Sequence, residues 1–472
     1  MTGPPDRDAP AGSGDDGTSN ADGALGVDSY ELEVIPVQRR SLKLRIVLGV
    51  VALVVALAFV IRPLVITTPA PTSEPAPTAL APTPLPIVES GDRIAMIAPD
   101  GSLSIVDRDG ALVRRYPVDA TVFRFPAFSP DGSRLAVVGG AADRSGVFVF
   151  DVGPSPGSPD AQPPRAVYSS GEHGVIYFAW SPDGETVGFL TGELDTLALR
   201  VVGADGLCID RVVARGQPIY WDWFDDSSLL VHSGGSGPEA FLGSLEPDGT
   251  LVSGASRVPG AFQAPGISHD GRHVAFVTLD SDGRTVLALE ARGGHGRTAI
   301  SVGRAASFGW SPVADDLAFI DGGGAAGLGL GALQIAEAST GDARTILDEA
   351  VAAFFWSPDG TMIAAMAIRP ADAGNVASIA AIPGFETRLV VVRAATGERV
   401  LERSVALGDL FEQQLLPFFD QYAKSHRLWS SDSSAVVLPL VDAEGGPHLT
   451  VIPVDGGAAV DLGPGVLGFW SP

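Results

Sequence analysis

Residues 180–184 read Trp-Ser-Pro-Asp-Gly, and this short pattern recurs along the chain. Intact copies also begin at Phe128 and at Trp356, and each copy is followed by a run of alternating apolar residues. Proline at the second position of a turn fixes φ near about −65°, aspartate tolerates the third position, and glycine admits the positive φ from which a strand can start. The segment is therefore predicted to be a hairpin turn between two strands.

Degenerate copies extend this pattern over most of the chain, and they begin at Trp223, Ile267, Trp310, Trp429 and Trp470. Successive starts lie 52, 43, 44, 43, 46, 73 and 41 residues apart. A period of about 40 to 50 residues with strand patterning is typical of a β-propeller with one four-stranded blade per repeat. The spacing predicts an all-β fold: a single β-propeller over residues 88–472, with eight blades, or seven if the copy at Trp223 or Trp429 forms no blade.

The two ends of this region are complementary. Residues 93–97 begin the later strands of a blade, but no aromatic-Ser-Pro start precedes them. Residues 465–472 (GVLGFWSP) provide such a start. We therefore expect the C-terminal strand to pair with the N-terminal strands and to close the ring without an open edge. The aromatic residue before each serine is predicted to pack between neighbouring blades.

The aromatic-Ser-Pro-Asp-Gly start with its following strand resembles the TolB-type propeller repeat, also called the WD40-like or PD40 repeat. The resemblance covers about four-fifths of the chain. It implies a β-propeller and leaves the function open, because such propellers host binding modules and enzymes alike. The chain departs from TolB in its blade count and in its apparent lack of a separate N-terminal α/β domain. The role of TolB in the cell-envelope Tol system is therefore not transferred.

The first 87 residues are predicted to lie outside the propeller. Residues 1–38 hold eight acidic residues and one basic residue, which predicts a disordered acidic tail. Residues 39–66 combine a basic flank with an apolar run at 46–61, which predicts one transmembrane helix of about 23 residues. Residues 67–87 are rich in proline and threonine and are predicted to form an extended stalk.

The charges beside the apolar run predict its orientation. Four basic residues precede the run and one follows it, which by the positive-inside rule places the tail in the cytoplasm. The protein is then expected to be a single-pass protein of the cell membrane, with an extracytoplasmic propeller.

The net charge and the motifs of the chain argue against several classes of function. The formal net charge of −25, from 31 Lys+Arg against 56 Asp+Glu, argues against nucleic acid as a partner. The sequence has no H-E-x-x-H, Walker A or C-x-x-C motif. His269 and His273 are four residues apart, but in a turn and a strand and not on a helix face, so a zinc site is not expected. We predict no metal, no cofactor and no enzymatic activity.

One interval between successive copies of the turn pattern is longer than the others. The 73 residues between Trp356 and Trp429 include about 30 extra residues, an insertion at about 400–426 that is unusually aromatic. It can pack on the propeller's side or over its channel, or it can be a contact surface for a partner protein or for the outer leaflet of the membrane. The candidate partner-binding residues are Phe411, Leu415, Leu416, Phe418, Phe419 and Tyr422.

Together these features predict a membrane-tethered, extracytoplasmic propeller that is a non-catalytic protein-binding or scaffolding module. Its expected partner is a protein of the same membrane or envelope, such as a transporter. One alternative is an enzyme, a hydrolase or lyase, with a site at the channel mouth built from Asp222, Asp225 and Asp226. Another is a signalling protein whose acidic tail contacts a cytoplasmic partner. The sequence does not indicate the oligomeric state.

Overall fold

The described part of the chain is an all-β assembly. The computed structural model describes residues 93–116, 121–141, 143–152, 163–207, 209–225, 227–234, 238–303, 306–322, 330–370, 385–442 and 444–472. Its strands pair in antiparallel fashion. The predicted tail at 1–38 and the predicted stalk at 67–87 lie outside the described residues.

The predicted fold class is corrected in one respect, the transmembrane helix placed before the propeller. No helix among the described residues is long and apolar enough to cross a membrane. The helical segments that the structure describes have three to five residues, whereas a helix needs about 20 to cross the hydrocarbon layer. The segment for which that helix was predicted, residues 39–66, lies outside the described residues.

Four sheets are simple four-stranded meanders, in which neighbours in sequence are neighbours in the sheet. We call them blades 2 to 5. Blade 2 contains β4 (Val122–Phe128), β5 (Arg134–Ala141), β6 (Arg144–Asp151) and β7 (Arg165–Ser170). Blade 3 contains β8 (Val175–Trp180), β9 (Thr186–Gly192), β10 (Leu197–Gly203) and β11 (Arg211–Gly216). Blade 4 contains β12 (Ile219–Trp223), β13 (Leu229–Ser233), β14 (Phe241–Leu245) and β15 (Leu251–Arg257). Blade 5 contains β16 (Gly266–Ile267), β17 (His273–Leu279), β18 (Thr285–Ala291) and β19 (Thr298–Ser301).

Blades 6 and 7 share one strand and form a continuous seven-stranded sheet. Its strands are β20 (Ala306–Trp310), β21 (Asp316–Asp321), β22 (Gly331–Glu337), β23 (Ala343–Trp356), β24 (Met362–Pro370), β25 (Phe385–Arg393) and β26 (Arg399–Val405). The first half of β23 pairs with β22, and its second half pairs with β24. This strand is therefore the outer strand of blade 6 and the inner strand of blade 7.

Blades 8 and 1 complete the set. Blade 8 contains β27 (Ala435–Val441), β28 (Pro447–Pro453) and β29 (Val460–Pro464), and Trp429 adds an isolated bridge to Val436 at its inner edge. Blade 1 contains β1 (Arg93–Ile97), β2 (Leu103–Asp107) and β3 (Leu112–Tyr116), together with β30 (Leu467–Trp470) from the other end of the chain. Strand β30 pairs with β1 from Ile94↔Trp470 to Ile97↔Leu467. The described strands thus fall into eight groups, and the expected pairing of the two chain ends is present.

The core lies at the inner three strands of the blades. Strands β5 and β17 are buried on both faces along most of their length. The fourth strand of a blade, such as β15 or β26, is mostly exposed or half-buried. Burial on both faces shows that the inner part of each sheet is covered from two sides, which in a propeller is the contact with the neighbouring blades.

The Ser-Pro-Asp-Gly segments form the hairpin turns that the sequence predicts. In blade 2, Gly132 has a φ of 71° and its N–H donates to the carbonyl of Ser129 over 2.9 Å. The Ser129 hydroxyl donates to Asp131 Oδ1 (2.6 Å) and accepts from Arg134 N (2.9 Å). In blade 8, Ser433 occupies the glycine position and keeps a positive φ of 59°. The backbone geometry is therefore retained where the glycine is lost.

The tryptophans before serine lie between blades, as predicted. Three of them donate a hydrogen bond from Nε1 to a carbonyl of the preceding inner strand: Trp180 to Ala127 (2.9 Å), Trp356 to Gly309 (3.0 Å) and Trp429 to Phe355 (2.9 Å). A buried aromatic ring with a satisfied N–H fixes the distance between two neighbouring sheets.

Close packing between blades 6 and 7 leads to a stability prediction. Gly397, in the β25–β26 turn, has a φ of 73°, and a Cβ there would lie 2.7 Å from the carbonyl oxygen of Ile346. Gly283, in the β17–β18 turn, has a φ of 78° and open space around it. Both glycine-to-alanine substitutions cost about 1 kcal/mol for the left-handed backbone, and Gly397→Ala costs about 1–3 kcal/mol more for the overlap. Chemical denaturation of the two variants measures the difference, and equal losses would contradict the prediction.

Candidate functional site at the plugged channel

Residues 406–428, called here the plug, connect blade 7 to blade 8. They contain one π-helical turn (Phe411–Leu415), one 3-10 turn (Leu416–Phe418) and one α-helical turn, α1 (Phe419–Tyr422). Pro417 has no N–H to donate, which favours the change of helix type at this point. The plug is therefore a chain of short turns.

The aromatic side chains of the plug pack against the inner strands of four blades. The ring of Phe419 lies 5.0 Å from that of Phe354 in blade 7. The ring of Tyr422 lies 5.2 Å from Phe125 in blade 2 and 5.0 Å from Tyr177 in blade 3. The imidazole of His426 lies 4.9 Å from the ring of Phe469 in blade 1.

Hydrogen bonds connect the same segment to these strands. Tyr177 Oη donates to Gln421 O (2.7 Å), Trp180 N donates to Ser425 Oγ (3.0 Å), and Trp470 N donates to Arg427 O (2.8 Å). Nε2 of His426 lies 3.3 Å from the carbonyl oxygen of Phe125. A segment of about 20 residues can contact inner strands from so many blades only if those strands surround it. The plug therefore fills the central channel of the propeller.

The structure separates the six candidate partner-binding residues into two sets. Five of them are buried: Phe411, Leu415, Leu416, Phe419 and Tyr422. Phe418 is 42% exposed, next to exposed Pro417. The burial of these five side chains agrees with one of the alternatives that the sequence leaves open, in which the insertion packs over the channel. Contact with a partner protein stays a prediction. Of the six candidate residues, Phe418 is the one whose side chain is exposed enough to make that contact.

A cluster of polar side chains lies beside the plug and joins it to blade 4. Lys424 Nζ lies 2.6 Å from Asp222 Oδ2 and donates to the carbonyl of Pro265 over 3.0 Å. Asp222 Oδ2 also accepts from the backbone N–H of Ile267 (2.9 Å). The side chains of Lys424 and Asp222 are 19% and 17% exposed, so the pair is largely buried and still reached by solvent.

Asp420 is the second acidic group of this cluster. Its Oδ2 accepts a hydrogen bond from Gln263 Nε2 over 2.5 Å, and the backbone carbonyl of Gln263 lies 3.0 Å from His232 Nδ1. Burial raises the pKa of Asp420 to about 6, although the Gln263 hydrogen bond and the charge of Lys424 act in the opposite direction. This carboxyl group can therefore gain and lose a proton close to neutral pH.

His426 shows the opposite shift deeper in the plug. Burial lowers the pKa of its imidazole to about 4, and its hydrogen bonds to the backbone offset only part of that effect. The ring is therefore neutral at physiological pH. Burial also raises the pKa of the Tyr177 and Tyr422 hydroxyls well above the usual range, so both stay protonated. These three side chains of the channel are thus uncharged.

Two of the three residues proposed for a channel-mouth enzyme are described, and they have different partners. Asp222 lies in the cluster, paired with Lys424. Asp225 is 77% exposed and lies 3.4 Å from Arg292 at the contact of blades 4 and 5. Asp226 lies outside the described residues.

Sequence reasoning missed Gln263, Asp420 and Lys424. One signal was present: Lys43 and Lys424 are the two lysines of the chain, whose other basic side chains are arginines. Lys424 fits a compact site because its ammonium places one charge between a carboxylate and a carbonyl, whereas a planar guanidinium has a different donor geometry. As a group, the cluster can bind a ligand or transfer a proton at Asp420.

Comparison with known proteins supports the fold. No protein-family profile and no curated protein sequence matches the chain. Among solved structures, a eukaryotic initiation factor matches at a TM-score of 0.50 and 14% identity, over 81% of this chain and 99% of that chain. The dihydro-heme d1 dehydrogenase NirN in complex with DHE matches at 0.50 and 14% identity, over 84% and 79%.

TolB from Acinetobacter baumannii matches at a TM-score of 0.33 and 16% identity, over 65% of this chain and 62% of that chain. The chain spans about half the length of a prolyl endopeptidase that it also matches. Identities of this size show the fold alone, and the assignment of a β-propeller rests on the two structures with a TM-score of 0.50.

The raised pKa of Asp420 predicts how stability changes with pH. At pH 8 the buried carboxylate is charged and destabilises the folded state. As pH falls through about 6 the folded protein takes up a proton that the unfolded chain, with a pKa near 3.8, does not, so the contribution of Asp420 becomes more favourable. Asp420→Asn is expected to be more stable than the parent by about 1–3 kcal/mol at pH 8, and this gain should vanish near pH 4.

Urea denaturation at several pH values measures this difference. The depressed pKa of His426 lowers stability as pH falls from 6.5 towards 4, but it does so in both proteins and cancels in the comparison. Asp225→Asn, at an exposed carboxylate, is the control and should show no gain at pH 8. A pH-independent effect of Asp420→Asn would refute the assignment.

Proposed function

We propose that this chain is a non-catalytic binding module whose plugged channel end contacts a protein partner. One observation carries the proposal: the plug turns its apolar side chains into the channel, and Phe418 is the large apolar side chain that stays exposed on its described surface. An exposed phenylalanine on a well-packed support is the kind of residue that contributes strongly to protein interfaces.

The surroundings of Phe418 support this proposal. Its ring lies 6.3 Å from that of Tyr220, which in turn packs against Phe262 at 5.0 Å. The partly exposed Asp222 and Lys424 belong to the neighbouring cluster. An apolar centre with a polar rim is the usual composition of a protein interface.

The charge of the chain indicates what kind of partner would fit. With a formal net charge of −25, the protein repels acidic surfaces and attracts basic ones. A partner that presents an apolar residue to Phe418 within a basic surface would meet both requirements. Binding is then expected to weaken as the salt concentration rises.

Site-specific photo-crosslinking tests this proposal. Phe418 is replaced by p-benzoylphenylalanine in the full chain, expressed in cells, and Leu251, a 48% exposed residue on β15, is replaced in the same way as a control. We expect one discrete protein adduct from position 418 and none from position 251. No adduct at 418, or the same adducts from both positions, would contradict the proposed surface.

A second candidate function is acid–base catalysis by a hydrolase or lyase site at the channel mouth. The observation that favours it is Asp420, whose pKa of about 6 suits a general acid or base, next to the Lys424 ammonium. Gln263 would orient the carboxyl group, since its amide already donates to Asp420.

This second candidate predicts a measurable activity of the full chain. Turnover should depend on a group with a pKa near 6 and fall by about 100-fold or more in Asp420→Asn, while Asp225→Asn keeps full activity. Because Asp420→Asn is expected to be more stable than the parent, a loss of activity would not reflect unfolding. Turnover that is undetectable in the parent, or unchanged in Asp420→Asn, removes this candidate.

A further inference from the structure

The first hairpin of blade 5 carries two histidines. His269 stands where the intact copies have proline, and His273 is the first residue of β17. The turn between them has the usual hydrogen bonds: the Ser268 hydroxyl donates to Asp270 Oδ1 (2.7 Å) and accepts from His273 N (2.9 Å). The backbone therefore holds both histidines at defined positions on one hairpin.

A carboxylate from the next blade faces both histidines. Asp315 belongs to the turn between β20 and β21 of blade 6. Its Oδ1 lies 3.8 Å from Nδ1 of His269 and 3.8 Å from Nδ1 of His273. Ligand atoms of His269, Asp270 and Asp315 all lie within 4.8 Å of one another. One imidazole nitrogen and two carboxylate oxygens thus converge at the contact of two blades, and the His273 imidazole lies 3.8 Å from one of these carboxylates.

The 3.8 Å distances from Asp315 Oδ1 to the two imidazole nitrogens are closer to the spacing of metal ligands than to the length of a hydrogen bond. A distance of 3.8 Å is too long for an N–H···O hydrogen bond. Ligand atoms bound at about 2.1 Å in a tetrahedral zinc site lie about 3.4 Å apart. An ion would therefore require each of the two 3.8 Å distances to contract by a few tenths of an ångström.

His448 in blade 8 provides the contrast within the same chain. Its Nδ1 lies 3.0 Å from Asp461 Oδ2 and its Nε2 lies 3.1 Å from Asp442 Oδ2. Both ring nitrogens therefore have carboxylate partners at hydrogen-bond distance. By comparison, His273 Nδ1 is a buried atom with no hydrogen-bond partner among the described residues, while the ring stacks at 6.3 Å on Trp310.

We propose that His269, Asp270 and Asp315 bind a divalent transition-metal ion of the zinc class, with the nearby imidazole of His273 as the fourth ligand. Imidazole together with carboxylate suits zinc and its neighbours in the transition series, whereas calcium and magnesium prefer sites made of oxygen atoms alone. His269 and His273 do not lie on a helix face, and their spacing in the sequence therefore predicts no zinc site. Here the hairpin turn and the neighbouring blade bring the ligands together instead.

The ion would connect blade 5 to blade 6. Ligands from two separate sheets make the site complete only when the two blades are docked, so bound metal stabilises the docked state over the unfolded chain. This role is independent of the partner surface at Phe418.

Metal titration of the full chain tests the site. The protein is stripped with EDTA, dialysed, and titrated with Zn²⁺ by calorimetry, and its Tm is measured with and without the ion. We expect one ion per chain at this site, a rise in Tm on binding, and at least a tenfold loss of affinity in His273→Ala and in Asp315→Asn. Asp315→Asn keeps the shape of a 46% exposed side chain, so it remains informative if His273→Ala folds poorly.

Two histidine variants are the matched controls. His295→Ala removes an exposed histidine of the same blade, and His448→Ala removes the histidine that already lies between two carboxylates. Both should keep the parent affinity and the rise in Tm. Absence of binding to the parent, full affinity in Asp315→Asn, or a loss caused by His448→Ala would each overturn the proposal.

Discussion

A ring of sheets leaves a space along its axis, and the way this space is filled determines much of the rest of this structure. Inner strands such as β4, β8 and the second half of β23 carry Phe125, Tyr177 and Phe354 towards the axis. Without a filling, these aromatic rings would face water. The plug supplies the missing apolar contacts from within the chain, at the point where the repeat is interrupted between blades 7 and 8. Burial of large aromatic side chains stabilises a fold by about 1.5–3 kcal/mol each.

The same filling affects the charge state of the plug's own side chains. Deep in the plug, His426 and Tyr422 are neutral because burial disfavours their charged forms. Charged groups appear where the plug meets blade 4, and there Lys424 and Asp222 neutralise one another at 2.6 Å. Burial raises the pKa of Asp420 to about 6, and the Gln263 hydrogen bond and the charge of Lys424 oppose this rise. The site follows from the depth of burial and not from a sequence motif.

The repeat spacing was sufficient to predict the strand groups, the turns and the pairing of β30 with β1, because each depends on local patterning that recurs. The contents of the channel were harder to predict. The contacts of Phe419 and Tyr422 come from strands far apart in sequence, and a hydrophobic pattern alone does not say whether an aromatic residue turns inwards or outwards. Asp420 and Lys424 gave no motif, since each acts through residues brought together only by the closed ring. The transmembrane helix, inferred from composition, has no counterpart among the described residues.

The pairing of β1 with β30 also has a consequence for the nascent chain. About 370 residues separate these two strands, which at about 5–20 residues per second corresponds to roughly 20–75 s of synthesis. During that time β1 has an unpaired inner edge, and blades 2 to 7 emerge before the plug exists to cover their aromatic faces. Exposed strand edges and apolar surface are the features that promote aggregation. The protein is therefore most vulnerable while it is being made, and protection by chaperones at the ribosome would matter more for this fold than for one built from local contacts.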